Sequence, residues 1–184
     1  MLRSTVLACA VAALAVCGLG TASASAKSSP SAGSCRGAYV IAVDAATLRT
    51  ASNAVRCLVN KQRAARGVGA VRAAGPLASA STAHSADMVA NRYFSHTGSN
   101  GDDVYARVSR AGYNWRAAGE AIIWGAGFDA TPFKLVTSLL KSAEHRPIML
   151  DRRYRELGVG LVLGGPTPGA AASSTTLTLD FGSR

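Results

Sequence analysis

The chain has 184 residues, 48% of them hydrophobic, and its 20 basic against 10 acidic side chains give a formal net charge of +10. That length admits one domain with one sizeable core, and the charge points to anionic surfaces such as wall polymers, acidic lipids or polysaccharides. No nucleic-acid-binding motif accompanies the charge, so nucleic acid is not an expected partner.

Ser4 to Ala26 carries no charge, is built around "TVLACAVAALAVCGL" and closes on the small residues "GTASASA". The pattern predicts a signal peptide over 1–26, cut after Ala26, and a mature chain that leaves the cell from Lys27. Its apolar core of roughly 15 residues falls short of the roughly 20 that a spanning helix needs, which makes an uncleaved anchor the second reading. Cys9 and Cys17 go with the leader. Cys35 and Cys57 remain, and in an oxidising compartment they are expected to pair.

Residues 27–43 read as an N-terminal extension that opens on the polar "KSSPSAG", and the folded domain is expected over 44–184. Leu48, Ala51, Val55, Leu58, Val59 and Gln62 recur at helical spacing, with Asp44 as N-cap and Gly67 as stop. Arg49, Arg56 and Arg63, seven residues apart, are expected to form a solvated stripe on the opposite face. A second helix is predicted from Pro76 to Tyr93, since proline suits a first helical position. After the loop "FSHTGSNG", Asp102 is expected to cap a short helix that stops at Gly112. Asp102 and Asp103 lack the alternating oxygen donors of a calcium loop.

"GEAIIWG" reads as a strand, Thr131-Pro132 starts a helix with Phe133, Val136, Leu139 and Leu140 inward, and "LGVGLVL" and "TTLTLDF" read as two closing strands. Between them "GGPTPGAAASS" is a loop. Gly158 and Gly160 leave one face of the first closing strand open to close packing. Helices early and strands late predict an α+β layered domain.

Metalloprotease, serine-hydrolase elbow, Walker, dinucleotide and Cys-x-x-Cys motifs are all missing from the sequence. What remains is a scattered trio: His96, Glu120 and His145. Two imidazoles and a carboxylate can hold a divalent metal with a position left for water, and they can equally act as acid and base. Residue types alone leave both roles open.

A set of motifs narrows the choice. Leu58-Asn60-Arg63, His84 with Asp87-Met88, Phe94-Ser95-His96, Gly119-Glu120, His145-Arg146 with Ile148 and Leu150, and Gly158-Val159-Gly160 follow one another from about Cys57 to Phe181. In that order they resemble the bacterial branch of the CAP superfamily, the cysteine-rich secretory, antigen five and pathogenesis-related-one proteins, also called SCP domains. The resemblance implies a three-layer α-β-α sandwich, about four helices around a small, mainly antiparallel sheet. It also implies a cleft floored by two histidines and two acids, which in some members hold zinc or another divalent cation.

Carried over by motif, His96 is the first histidine, Glu120 the first acid and His145 the second histidine, while Ser142 stands at the second acid's position. His145 is then expected at a break after the fourth helix, with Pro147 starting a new turn and Ile148 and Leu150 anchoring it. This chain departs from the pattern at Ala121, where relatives carry an amide, and at Leu139, where a tryptophan is usual. His84 and Asp87 are expected to bond each other or nearby backbone, and Trp115 and Trp124 to serve packing. With one acid missing, a secreted binding module for a divalent cation or small ligand is preferred. A metal-assisted hydrolase using Glu120 or His145, and a lipid or sterol carrier, are the alternatives. An anionic envelope polymer or lipid is a further expected partner.

Overall fold

The computed structural model describes residues 35–184; the predicted signal peptide lies outside them. Four strands form one sheet in the order β1-β3-β4-β2, with β1 at Arg72–Ala73, β2 at Ala117–Ala126, β3 at Glu156–Leu163 and β4 at Ser174–Ser183. The β3–β4 and β4–β2 pairs are antiparallel, and β1 joins β3 in parallel. Helices cover both faces: α1 (Ala45–Ala64), α4 (Pro132–Lys141) and α5 (His145–Met149) on one, α2 (Gly75–Asn91) and α3 (Val104–Arg110) on the other. The result is an α-β-α sandwich. No helix among the described residues is long and apolar enough to cross a membrane.

Local chemistry explains most of the elements. Asp44 caps α1 as expected, accepting from the Thr47 N–H at 2.8 Å while the Thr47 hydroxyl answers the Asp44 N–H at 3.0 Å. Gly67 follows the helix with φ +65°, a conformation that suits glycine. The Cys35–Cys57 disulfide forms, tying the segment before α1 to its middle. Val55, Leu58, Leu135, Leu139, Leu177, Leu179 and Phe181 fill the space between the sheet and the α1–α4 layer.

The opposite layer is thinner. A Cβ on Gly158 would lie 2.2 Å from the carbonyl carbon of Leu77, and one on Gly160 would lie 2.1 Å from that of Ser81. Only glycine lets the α2 backbone rest directly on β3. Ser85 and Thr178 hydroxyls meet at 2.8 Å across the same seam, each serving as the other's partner.

Three expectations need correction. Arg63 is fully buried rather than part of a solvated stripe. Its guanidinium donates to the carbonyls of Gly69, Met149, Asp151 and Tyr154 at 2.8–3.1 Å. Loop carbonyls converging on one fork draw the side chain inward despite its charge, and burial lowers its pKa. The cap of α3 is Asp103, which accepts from the Ala106 N–H at 2.8 Å; Asp102 instead pairs with Arg110. Lastly, α2 ends at Asn91, with Arg92 left-handed at φ +55°, which frees Tyr93 to turn its hydroxyl onto Asp87.

Candidate functional site

The sheet has β2 at one margin, and the loop after α2 and the break between α4 and α5 approach each other beyond it. Glu120 sits inside β2 with its side chain on the α2–α3 face, 4% exposed. His96 comes from the loop, and its Nδ1 lies 2.7 Å from Glu120 Oε1. Arg107 of α3 holds the other carboxylate oxygen and also donates to the His96 carbonyl at 2.8 Å, which fixes the loop to the strand. Both Glu120 oxygens are therefore engaged.

His145 opens α5 where the expected break falls. The chain leaves α4 at Ser142, whose backbone is extended (φ −67°, ψ 131°), and its hydroxyl lies 2.9 Å from His145 Nδ1. The same hydroxyl accepts from the Glu144 and His145 N–H groups at 3.2 Å, so the bend aims the ring. His96 and His145 meet with ring centroids 6.4 Å apart, and neither Nε2 has a hydrogen-bond partner among the described residues. A cleft of about 320 Å³ continues from His145 along Phe94, Ile122, Trp124 and Leu139. Trp124 thus lines the cleft, whereas Trp115 is 40% exposed and absent from its lining.

Electrostatics divide the site. Burial pushes the Glu120 carboxyl up, but His96, Arg107 and His84 outweigh it and hold the group below the usual carboxylate range. Burial, then the neighbouring His96, lowers His145. His84 is likewise lowered, chiefly by burial; it bonds the Ser95 carbonyl at 2.9 Å instead of Asp87 and stands 3.9 Å from Glu120. Asp87 organises the loop from the other side, taking Ser99, Tyr93 and Asn91; burial raises its carboxyl, yet these bonds bring it down to about 2.

Sequence reasoning missed Arg107 and Asp180. Asp180 lies directly across β4 from Glu120, fully buried, with Ser81 donating to one oxygen at 2.8 Å and the other oxygen without a partner. Burial, then Glu120, raises its carboxyl well above the ordinary range, which favours its protonated form beside the Glu120 carboxylate. The signal available was a lone Asp in the apolar strand "TTLTLDF", which strand register alone could connect to Glu120.

Among the described residues no three His, Cys, Asp or Glu side chains converge as a metal-holding group. The donors suited to a cation are the two imidazoles, each with Nδ1 already held. That is the usual support behind metal-ligating histidines.

An α-β-α sandwich with paired histidines beside its marginal strand defines an SCP-type domain. Residues 57–181 match the profile of the cysteine-rich secretory protein family, CAP, and the chain belongs to that family. Bacillus subtilis YkwD is 28% identical over 108 residues, 59% of this chain and 41% of that protein. An extracellular SCP-domain protein of Bacillus anthracis superposes with TM-score 0.62 at 22% identity, covering 78% of this chain and 45% of that one. An outer surface protein of Borrelia burgdorferi gives 0.59 at 14% identity over 71% and 90% of the two chains. A cysteine-rich secretory protein of Staphylococcus aureus gives 0.60 at 13% over 77% and 40%. These structural likenesses are of fold, and the chain spans less than half the length of most of these relatives.

Proposed function

We propose that the protein acts outside the cell as a binding module whose cleft takes a divalent cation, zinc by donor chemistry, through His96 and His145 Nε2. The observation that carries this reading is the paired support: Glu120 behind His96 at 2.7 Å and Ser142 behind His145 at 2.9 Å. With zinc about 2.1 Å from each ligating nitrogen and tetrahedral, two imidazole centroids stand roughly 5.2 Å apart, so rings at 6.4 Å share one cation after closing by about 1 Å. Two protein donors make the site weak and exchangeable, with the remaining positions open to water or a small ligand. The apolar wall of Ile122, Trp124 and Leu139 suits the ligand's hydrocarbon part. The leader-like N-terminus and the extracellular and surface descriptions of the relatives support the location.

Calorimetric titration with zinc tests the proposal on wild type, His96→Ala, His145→Ala and Glu120→Gln. Wild type is expected to bind one ion, each histidine variant to lose it, and Glu120→Gln to weaken it about 10- to 100-fold. Equal uptake by all four proteins overturns the site. A second reading, hydrolysis with Ser142 as nucleophile, draws on its contact with His145. It requires His145 to accept the serine proton at Nδ1, whereas cation binding requires Nδ1–H to donate to Ser142. The tautomer of His145 read by nitrogen-15 NMR separates the two, as does the release of products from a peptide or ester pool.

A further inference from the structure

All four strands reach the same margin of the sheet, and each delivers an arginine there. Arg72 lies in β1 opposite Glu156, and Arg155 immediately precedes β3. Arg184 follows β4, and Arg116 precedes β2 with its N–H on the Ser183 carbonyl at 2.8 Å. Strand order sets these residues in the sequence 72, 155, 184, 116 across the sheet. With neighbouring strands about 4.8 Å apart, the row is roughly 14 Å long.

All four are exposed. The side-chain carboxylate among them is Glu156, buried and already engaged by the Tyr113 hydroxyl at 2.5 Å and by Arg72 at 3.1 Å. Arg184 reaches it at 3.5 Å and lies over the Tyr113 ring. Four guanidinium groups thus face solvent around one shielded acidic side chain. Two shallow concavities, about 460 and 320 Å³, share Arg184 as a common wall and run along the row. Beyond Arg116 stands Trp115, 40% exposed, packed on Tyr105 at 4.7 Å and pinned by Nε1 donating to Ser109 Oγ at 2.9 Å.

We infer that this margin is a docking surface for a linear anionic polysaccharide. The evenly set guanidinium groups meet successive sulfate, phosphate or carboxylate groups, which arginine grips with paired donors, and the indole of Trp115 receives a sugar ring. Beside the row the exposed large apolar side chains are Trp115 and Tyr105, both at one end, which favours a polymer over a lipid surface. The inference extends the extracellular reading given above but is independent of the histidine cleft, which no residue of the row touches.

Low-mass dextran sulfate is the probe, with poly-L-glutamate, phosphatidylglycerol vesicles and oligothymidylate as comparisons. Arg116→Ala/Arg155→Ala removes two charges whose guanidinium groups bond no other side chain, and Arg49→Ala/Arg56→Ala on α1 removes the same charge elsewhere. Dextran sulfate affinity is expected to fall about 30-fold in the row variant and less than about 3-fold in the α1 variant. Trp115→Ala should cost about 5-fold against dextran sulfate and nothing against poly-L-glutamate. Equal losses in the two arginine variants, or tighter binding of vesicles or oligothymidylate than of dextran sulfate, would overturn the proposal. Zinc titration of the row variant and dextran sulfate binding by His96→Ala should both match wild type, so that a failure here is distinct from a failure of the cleft.

Discussion

Lysine in place of Arg63 keeps the charge and removes the fork. Arg63 contacts four carbonyls: Gly69 after α1, Met149 at the end of α5, Asp151 just beyond it, and Tyr154 before β3. An ammonium group offers three donors from a single point and cannot span them. At least one buried carbonyl, that of Met149 or Tyr154, then loses its partner, and each such loss costs about 1–3 kcal/mol. Adding the poorer fit of the ammonium gives an expected loss of about 3 kcal/mol, a large part of the roughly 5–15 kcal/mol that holds a domain folded. Urea unfolding at unchanged slope measures it, and faster amide exchange over Met149–Tyr154 should accompany it. A loss below about 0.5 kcal/mol with normal exchange would refute the view that this side chain organises the turn behind His145.

Gly160→Ala should destabilise by about 3 kcal/mol, because its Cβ meets α2 backbone, while Gly69→Ala, with open space around it, should stay within about 0.5 kcal/mol by thermal or urea unfolding. Replacing Cys35 and Cys57 together by serine should cost about 3 kcal/mol by the same measurement, from the loop the bridge closes over a separation of 22 residues. Because the folded Asp180 carboxyl is raised above its ordinary 3.8, the folded state keeps a proton that the unfolded chain releases, and stability falls as pH rises past that value. Asp180→Asn should therefore gain on wild type as pH rises above 3.8 in urea melts; a difference independent of pH contradicts this. Zinc affinity should fall with acidification as His145 takes up a proton, and its lowered value sets that loss below pH 6.5, as titrations at stepped pH would record.

Periodic apolar spacing made α1, α2, α4 and the three long strands legible, because each buries one face against a layer. The Gly158–Gly160 pair was legible for the same reason: alternation placed both on one face of β3. What escaped depends on distant parts of the chain. β1 is two residues long and exists through its pairing with β3, 84 positions away, so no local pattern announces it. Arg63 keeps the seven-residue spacing of Arg49 and Arg56 while a small rotation around α1 carries it from solvent to core, and the carbonyls that receive it carry no sequence signature. The site divides likewise. His96, Glu120 and His145 stood out by residue type and motif, and the structure brings the two rings together. Arg107 and Asp180 complete the electrostatics of Glu120, one through a helix and one through strand register, and neither relation is visible along the chain.

The two faces of the sheet are built from different materials. Toward α1 and α4, β4 turns Leu177, Leu179 and Phe181 into a thick hydrocarbon layer; toward α2 it turns Thr176, Thr178 and Asp180 onto a helix lying at glycine distance. The hydrocarbon packing and the Glu120 cluster thereby lie on opposite faces, and Leu139 and His145 reach the cleft from the oily side. Exchanges among the hydroxyls of the seam can therefore leave the oily layer intact, whereas a change at Leu139 is felt by core and cleft together.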